Sequence, residues 1–251
     1  MNVSLSEREK KILQILMEGN NPSVNEISDM LEVSKVTIRS DFTSLEEKGL
    51  IVRTRGGAFP AFHPEILESQ KQAIEEKNRI AKAAAAMIND GDTIMINDGT
   101  TTALIPKYLL GKRDIHIVTN STLVFTYARI NPALHLTLVG GTFQPSSEAL
   151  VGPVSLVDLE NFHVKYAFVG TSGFSLETGM TTHLVDGAEV IKKMNQQAEK
   201  TILVADSGKY GKNGFVKILS LDHLDSIICD RGLAGETVEK IRESGTEIRL
   251  V

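Results

Sequence analysis

Five short polar turns carry the residues of this chain that are best suited to binding an anion. Backbone amides at the start of a helix, together with hydroxyl side chains, can hold a phosphate group, and a nearby lysine would neutralise part of its charge. The turns therefore predict a site for a phosphorylated ligand. They are Asp98-Gly99-Thr100-Thr101-Thr102, Asn120-Ser121, Gly140-Gly141-Thr142, Gly170-Thr171-Ser172-Gly173 and Asp206-Ser207-Gly208-Lys209.

Each of these turns follows an apolar run of strand length, and such runs alternate with segments of helical periodicity. We predict strands over residues 93–97, 115–119, 134–139, 166–170, 201–205, 226–229 and 246–250, and helices over 78–88, 102–110, 122–129, 148–159, 188–198 and 235–243. This alternation is typical of a mostly parallel α/β sheet with helices on both faces. Ligands of open α/β sheets bind at the carboxyl ends of strands, so the five turns should meet at one edge.

A single turn of this kind is more often a helix cap than a phosphate site, and Asp98 could cap its own loop. Five turns on one edge favour a ligand instead. Lys209 could be an ordinary surface charge, but a cation in the same rim would strengthen a phosphate site. The six histidines lie at unrelated spacings, so we expect no metal site and no cofactor. Cys229 lies in an apolar run and is expected to be a buried strand residue.

The segment that begins at Ser34 has the pattern of a DNA-recognition helix. Ser34 can cap its start, and Ile38, Phe42 and Leu45 recur at the spacing of one buried helical stripe. The opposite face is polar and would be free to enter the major groove. Gly49 ends the helix. We predict DNA contacts from Ser34, Lys35, Thr37, Arg39 and Ser40, with Thr43 and Glu47 on the same exposed face.

Two shorter helices and a strand surround this segment in the order of a winged helix-turn-helix. We predict one helix over residues 7–17, a break over 19–22, and a second helix that starts in the capping box Ser23-Val24-Asn25-Glu26. The second helix should bury Val24, Ile27, Met30 and Leu31. Residues 50–57 alternate like a strand and predict a wing, with Arg53 and Arg55 on one side as further DNA contacts.

Charge alone does not decide whether this module binds DNA. Residues 1–58 hold eight Lys and Arg against nine Asp and Glu, and the whole chain has a formal net charge of −5. General coating of nucleic acid is thereby excluded, but Lys35, Arg39, Arg53 and Arg55 would cluster at the groove-facing edge. The spacing also fits a small three-helix bundle that merely caps a larger domain.

The length of 251 residues suits two domains. We predict a winged helix-turn-helix domain over residues 1–58, a connector over 59–76 that is helical from residue 66, and an α/β effector domain over 77–251. The first residues show no apolar leader, and no later apolar run approaches the roughly 20 residues that span a bilayer. We therefore expect a cytoplasmic protein.

The chain resembles the DeoR family of bacterial transcription regulators over nearly its whole length. The N-terminal signature is carried by Arg8, Ile12, Leu16, Ser34, Thr37-Ile38-Arg39, Asp41-Phe42, Arg53 and Gly56-Gly57-Ala58. The rest is carried by Asp98-Gly99-Thr100-Thr101, Thr119-Asn120-Ser121, Gly140-Gly141, Phe168-Val169-Gly170 and Asp206-Ser207-Gly208-Lys209-Tyr210-Gly211. Three positions depart from the family pattern. Ser40 replaces a usual basic residue, Arg55 a usual His, and Gln144 a frequent Arg.

In that family the second domain is similar to ribose-phosphate isomerases, and it binds a phosphorylated metabolite that usually releases the protein from DNA. By this resemblance, Asp98 and Asn120 would contact sugar hydroxyls, and Lys209 would contact an anionic or hydroxyl group. The phosphate would be held by Thr100, Thr101 and Ser121. Gln144 implies an effector whose charge or pose differs from the common case.

We therefore predict a repressor of sugar-metabolism genes that binds its operator as a homodimer or larger homo-oligomer, because one module offers too little contact for tight binding. One alternative is a sugar-phosphate isomerase with an accessory helical module, in which Asp98, Glu189 and Lys209 supply acid and base groups. Another is a ligand-binding scaffold whose helical module contacts a protein. Such a scaffold would show no salt-dependent DNA affinity.

Overall fold

The computed structural model describes residues 5–17, 22–61 and 63–251. The chain divides into two compact units, Met1–Leu67 and Glu68–Val251. Of the break predicted over residues 19–22, only Pro22 lies within the described residues. Within the described ranges, every helix is too short or too polar to cross a lipid bilayer.

The first unit contains three helices and a two-stranded hairpin, in the order predicted for a winged helix-turn-helix. Its elements are α1 (Glu7–Met17), α2 (Val24–Met30), α3 (Lys35–Glu47), β1 (Ile51–Arg53) and β2 (Ala58–Pro60). The two strands pair antiparallel, with Ile51 opposite Pro60. The helix α4 (Pro64–Lys71) follows and continues past the end of this unit.

Apolar residues from all three helices fill the core of the first unit. Six of them are at most 2% exposed: Ile12, Leu16, Ile27, Ile38, Phe42 and Leu45. The buried stripe predicted for α3 is therefore confirmed. Met30 is 61% exposed, so its predicted inward position is wrong. The reason is that α2 ends at Met30, where the chain turns away towards α3.

Side-chain caps fix where α2 and α3 begin. Ser23 Oγ accepts a hydrogen bond from the Glu26 amide at 3.3 Å, and the Glu26 carboxylate accepts one from the Ser23 amide at 2.7 Å. The predicted capping box is therefore present. Ser34 Oγ accepts from the Thr37 amide at 3.1 Å. Between the two helices, Glu32 adopts a left-handed backbone with φ 52°, which closes the short turn.

Two ion pairs tie α1 to α3 and its C-terminal end. Arg8 binds Asp41 through two hydrogen bonds of 2.6 and 3.0 Å. Glu9 accepts one from Lys48 Nζ at 2.6 Å. Burial alone would raise the pKa of Glu9, but the hydrogen bonds from Lys48 and from the Ser6 amide help lower this pKa to about 2. The carboxylate of Glu9 thus stays charged inside the unit.

The wing is held against the start of α2 by its two glycines. The Val24 amide donates to the Gly56 carbonyl at 3.0 Å. A Cβ on Gly57 would lie 2.9 Å from the Pro22 carbonyl oxygen, closer than real Cβ atoms approach. The backbone of the wing can pack this closely only because residue 57 lacks a side chain.

The second unit is built of layers of α-helices and β-strands. Its elements in chain order are α5 (Ile74–Ala85), β3 (Thr93–Ile96), β4 (Ile115–Thr119), α6 (Thr122–Ala128), β5 (Leu134–Leu138), β6 (Thr142–Gln144), β7 (Ala149–Val151), α7 (Pro153–Glu160), β8 (Val164–Val169), β9 (Gly173–Ser175), β10 (Gly179–Thr182), α8 (Val185–Gln196), β11 (Ala198–Val204), β12 (Val216–Lys217), β13 (Ser226–Cys229), α9 (Gly235–Glu243) and β14 (Glu247–Leu250). Three short 3-10 helices complete it: Thr102–Tyr108, Ser207–Lys209 and Leu221–His223.

Seven strands form one parallel sheet in the order β14-β13-β11-β8-β3-β4-β5. Its central strands are buried on both faces, as expected where helices cover a parallel sheet. Met95, Ala167, Leu203, Ile227 and Cys229 are all inaccessible to solvent. The predicted α/β class and the buried position of Cys229 are confirmed.

Three predicted helices are wrong in part. Residues 149–151, expected to begin a helix, form β7, because Gly152 has φ 92° and Pro153 starts α7 after it. The segment after residue 102 is a 3-10 helix that contains Pro106, which has no amide to donate. The helical connector predicted over 66–76 is two helices, because Ala73 breaks it with φ 49°.

Short antiparallel strands were absent from the prediction. β6 pairs with β7, and β10 pairs with both β9 and β12. These strands have two to four residues each, too few for an alternating pattern to be visible in the sequence. The other predicted elements are present, with boundaries shifted by a few residues.

We expect Gly57→Val to destabilise the first unit by about 1–3 kcal/mol, because the new side chain would push the wing away from α2. Urea denaturation followed by circular dichroism measures the loss. Gly56→Ala is the matched control, since a Cβ there meets no atom within 4 Å. Equal stability of the two variants would contradict the proposed packing role.

Candidate functional site

The outer face of α3 is accessible, as the helical pattern predicted. Ser34, Lys35, Arg39 and Ser40 are exposed, and Thr37 is half-buried with its hydroxyl 2.8 Å from Ser34 Oγ. This face could therefore meet a DNA groove without rearrangement of the core. The DNA contacts of the individual residues stay predictions.

Val36 is an apolar residue of this face that sequence reasoning missed. It is 73% exposed in the first turn of α3, next to the predicted contact Lys35. An exposed aliphatic side chain at that place can pack against the methyl group of thymine. Its position off the buried stripe was the available signal in the sequence.

Three arginines line a polar cleft between the start of α2, α3 and the wing. The cleft has a volume of about 350 Å³ and is lined by Ser23, Val24, Asn25, Arg39, Phe42, Arg53, Thr54, Arg55, Gly56 and Gly57. Arg53 Nη1 donates to Thr43 Oγ1 at 3.2 Å and lies 3.9 Å from the carboxylate of Glu46. Arg53 thereby links the wing to α3. A cleft with this charge suits a phosphate of the DNA backbone.

The five polar turns of the second unit meet at the carboxyl edge of the parallel sheet, as predicted. The turns follow β11, β8, β3, β4 and β5, which are neighbours in that order. Adjacent strands lie about 4.8 Å apart, so the turn after β3 stands two strand spacings from Lys209. The sheet therefore brings the candidate residues into one row.

Asp98 and Asn120 form a reciprocal pair across β3 and β4. Asn120 Nδ2 donates to Asp98 Oδ1 at 3.1 Å, and the Asp98 amide donates to Asn120 Oδ1 at 3.2 Å. Desolvation raises the pKa of Asp98, and the hydrogen bond from Asn120 opposes that rise. Asn120 is fully buried, while Asp98 keeps some exposure. Asn120 therefore holds Asp98 in place, and Asp98 is the member of the pair that a hydroxyl group could reach.

The turn after β3 offers free backbone donors. In the described part of the chain, the amides of Gly99, Thr100 and Thr101 donate to no protein acceptor. Gly99 has φ 147°, a conformation that orients this loop and favours glycine. Thr102 Oγ1 instead donates to the Gly99 carbonyl at 2.9 Å. The amides and the Thr100 hydroxyl are thus the groups of this turn best suited to an anion.

Several residues predicted to contact the ligand also form hydrogen bonds within the protein, and their ligand contacts stay predictions. Ser121 Oγ accepts from the Val124 amide at 3.3 Å, so it caps α6. Thr171 Oγ1 donates to the carbonyls of Gly173 and Thr181 at 2.7 and 2.8 Å. The Gly170 amide donates to Asn97 Oδ1 at 2.8 Å. These bonds hold the shape of the edge.

The Gly140-Gly141 turn is fixed by α7. The Gly140 amide donates to Asp158 Oδ2 at 2.8 Å, and its carbonyl accepts from Ser155 Oγ at 2.6 Å. A Cβ on Gly141, which has φ 143°, would lie 2.1 Å from Ser155 Oγ. Close packing against α7 therefore accounts for both glycines.

Lys77 is a component of this edge that sequence reasoning missed. It is 2% exposed, and its Nζ donates to the Ser69 carbonyl at 2.5 Å. Burial lowers the pKa of Lys77 to about 8, while Asp206 acts to raise it and Lys209 to lower it further. Ser69 also lies 3.0 Å from Thr100 through its hydroxyl, so Lys77 is one residue removed from the turn after β3. The signal was the place of Lys77 on the buried stripe that continues with Ile80.

Asp230 positions the loop that carries Lys209. Its carboxylate accepts hydrogen bonds from the Ser207 amide at 2.6 Å, from Ser207 Oγ at 2.8 Å and from the Gly232 amide at 2.9 Å. Desolvation would raise the pKa of Asp230, but these hydrogen bonds lower it. Asp230 is 4% exposed. Its buried carboxylate therefore fixes the position of the loop that carries Lys209.

Known families match both units. The DeoR-like helix-turn-helix domain matches residues 8–60, and the DeoR C terminal sensor domain matches residues 72–231. The putative aga operon transcriptional repressor of Escherichia coli O157:H7 is 32% identical over 98% of this chain and 94% of its own length. The regulator GlpR of Haloferax volcanii is 34% identical over 97% of this chain and 96% of its own length.

A third relative is the repressor GlcR of Bacillus subtilis, 34% identical over 90% of this chain and 88% of its own length. Among solved structures, D-ribose-5-phosphate isomerase in complex with phospho-erythronic acid matches with a TM-score of 0.41 and 20% identity. The match covers 55% of this chain and 54% of the isomerase chain. Overlap at this level carries no functional argument. The family matches do, and by them this chain is a member of the DeoR family of transcriptional regulators, with a helix-turn-helix domain joined to a sensor domain.

Proposed function

We propose that this protein represses genes of carbohydrate metabolism and leaves its operator when a phosphorylated sugar binds at the sheet edge. The observation that carries the proposal is the meeting of free amides, hydroxyls and two lysines at that edge, in a chain that also has an accessible recognition helix. The names of its relatives, which include an aga operon repressor, support the repressor role.

DNA recognition rests on the first unit. Lys35 and Val36 stand in the first turn of α3, where a recognition helix reaches base edges. Arg39 stands one turn later and also lines the arginine cleft. Base contacts by α3 would give specificity, while phosphate contacts by Arg53 and Arg55 would fix the register.

Effector recognition rests on charge and spacing. The amides of Gly99, Thr100 and Thr101 can donate to the oxygens of a phosphate, and Lys77 and Lys209 supply positive charge. Asp98 begins the same turn, and its partner Asn120 follows the neighbouring strand β4. Asp98, held by Asn120, would bind the hydroxyls of the attached sugar. The edge thus suits a ligand with an anionic end and a polyol end.

A homo-oligomer is part of the proposal, because one helix-turn-helix unit buries too little surface for tight specific binding. Two helix-turn-helix domains, one from each subunit, would bind the two half-sites of an operator. The effector would favour an arrangement of these domains that no longer fits the spacing of the half-sites. Linkage then requires the operator to weaken effector binding by the same factor. The protein would act in the cytoplasm, where its operator lies.

We favour a regulator over an enzyme. Isomerisation between adjacent carbons needs a carboxylate within reach of the substrate to move the proton. Glu189, which the enzyme alternative requires, is exposed on α8 and pairs with Lys192 at 2.8 Å. Asp98 is engaged with Asn120. A coupled assay that shows turnover of ribose or fructose phosphates would revive the enzyme alternative.

Arg39→Ala should weaken binding to the operator by roughly 1–3 kcal/mol if Arg39 contacts a base. Fluorescence anisotropy at fixed salt, on an operator selected from random DNA, measures the change. Lys11→Ala, an exposed charge on α1, is the control and should have a much smaller effect. An equal loss on unrelated DNA would assign Arg39 to the phosphate backbone.

Sugar phosphates should weaken operator binding by about 5- to 150-fold, the usual range of allosteric coupling. The same anisotropy assay, repeated with a panel of sugar phosphates and their unphosphorylated sugars, measures the response. Lys209→Met should require more ligand, while Lys212→Met, an exposed lysine of the next turn, should respond normally. Unchanged affinity with every sugar phosphate would remove the effector half of the proposal.

The buried ammonium of Lys77 should make stability depend on pH. The pKa of Lys77 is about 8 in the folded chain against an ordinary 10.5, so the folded state loses this proton first as pH rises. As pH rises from 8 to 10.5, the free energy of unfolding of the wild type should therefore increase relative to that of Lys77→Met, by up to about 3 kcal/mol. Urea denaturation at several pH values tests this. A constant difference between the two proteins would contradict a shifted pKa.

A further inference from the structure

Ser69 occupies two of the groups that a phosphate would need at the sheet edge. Its hydroxyl lies 3.0 Å from Thr100 Oγ1, and its carbonyl accepts a hydrogen bond from Lys77 Nζ at 2.5 Å. Thr100 belongs to the turn with the free amides, and Lys77 is a buried cation, 2% exposed. We call these two contacts, of Ser69 with Thr100 and with Lys77, the Ser69 clasp.

The helix that carries Ser69 also carries a core residue of the first unit. α4 spans Pro64–Lys71, and Leu67 within it is 3% exposed and belongs to the hydrophobic cluster of that unit. Ser69 is two residues further along the same helix. Any change in how Ser69 is held therefore acts on the helix that also contributes Leu67 to the core of the first unit.

α4 ends in a joint that would let it move separately from α5. Ala73 has φ 49° and ψ 40° and precedes α5 without a side-chain cap. A left-handed alanine interrupts the helix, so α4 and α5 are not one rigid rod. Lys77 lies on α5, on the other side of this joint from Ser69.

A phosphate would compete well against Ser69. The hydrogen bond from the Lys77 ammonium to the neutral Ser69 carbonyl is already charge-assisted, but a phosphate oxygen in its place would add the attraction between two opposite charges. Thr100 would likewise exchange a neutral hydroxyl partner for an anionic one. The energetics therefore favour release of Ser69 when an anion enters, provided that the anion reaches both groups.

We propose that Ser69 is an internal competitor of the effector: it holds Thr100 and Lys77 in the ligand-free protein, and the phosphate of the effector displaces it. Displacement releases α4 and so changes the constraint on the DNA-binding unit. This inference rests on the proposed phosphate site and adds how occupancy of that site is transmitted. It assigns the first step of the response to one serine of the connector.

Amide hydrogen exchange of the full chain, titrated with inorganic phosphate, tests the clasp. In the wild type, phosphate should slow exchange at the amides of residues 99–101 and speed exchange in α4. Ser69→Ala should show fast exchange in α4 already without phosphate, and it should bind phosphate about threefold to tenfold more tightly, because the competing contacts are weakened. Gln72→Ala, at the exposed end of the same segment, is the matched control and should behave as the wild type.

The outcomes separate the clasp from the phosphate site. If phosphate protects residues 99–101 but leaves α4 unchanged, or if Ser69→Ala binds phosphate no more tightly than Gln72→Ala, the clasp is wrong and the site stands. If phosphate protects none of these amides, the phosphate site is wrong and the clasp falls with it. Circular dichroism of both variants confirms that a changed exchange rate is not global unfolding.

Discussion

The parallel pairing of β11, β8, β3 and β4 is the constraint on which the sensor unit depends. Parallel strands end at the same edge, so residues more than a hundred positions apart, such as Asp98 and Lys209, come into one row. The sheet is buried on both faces and resists deformation, so the turns inherit fixed positions from it. Internal hydrogen bonds of Thr171, Ser121 and the Gly140 amide then hold the shape of the edge. Among the described residues, the amides of Gly99, Thr100 and Thr101 are left without a protein acceptor.

The first unit is a small domain that must hold charged side chains in place on its surface. Its core is built from few residues, so α1 is also tied to α3 by the Arg8–Asp41 pair. The wing has only a two-stranded hairpin, and the close approach of Gly57 to Pro22 fixes it beside α2. The bond from Arg53 to Thr43 fixes one arginine of the cationic cleft, and such preorganisation would lower the entropic cost of binding an anion there.

Much of the organisation was visible in the sequence because it depends on local signals. Capping residues at Ser23 and Ser34, and the buried stripe of α3, predicted the helix-turn-helix. The alternation of strands and helices predicted the sheet and the edge at which its turns meet. The predictions were wrong where the local pattern was weak. The apolar residues 149–151 fit a helix as well as a strand. Met30 continues the apolar stripe of α2, but this helix ends at Met30 and, among the described residues, no other element covers its side chain.

The sequence by itself determined the family, the two-unit organisation and the types of residue at the sheet edge, because motifs and periodicity are properties of neighbouring residues. Only the tertiary structure decided which of those residues have partners within their own turns. Ser121 and Thr102 looked equivalent to Thr100 as hydroxyl donors, yet their partners lie within their own turns. Ser69 looked like part of a polar connector, and Lys77 like the first residue of the α/β domain. Their contact with the edge depends on long-range packing, which no local pattern records.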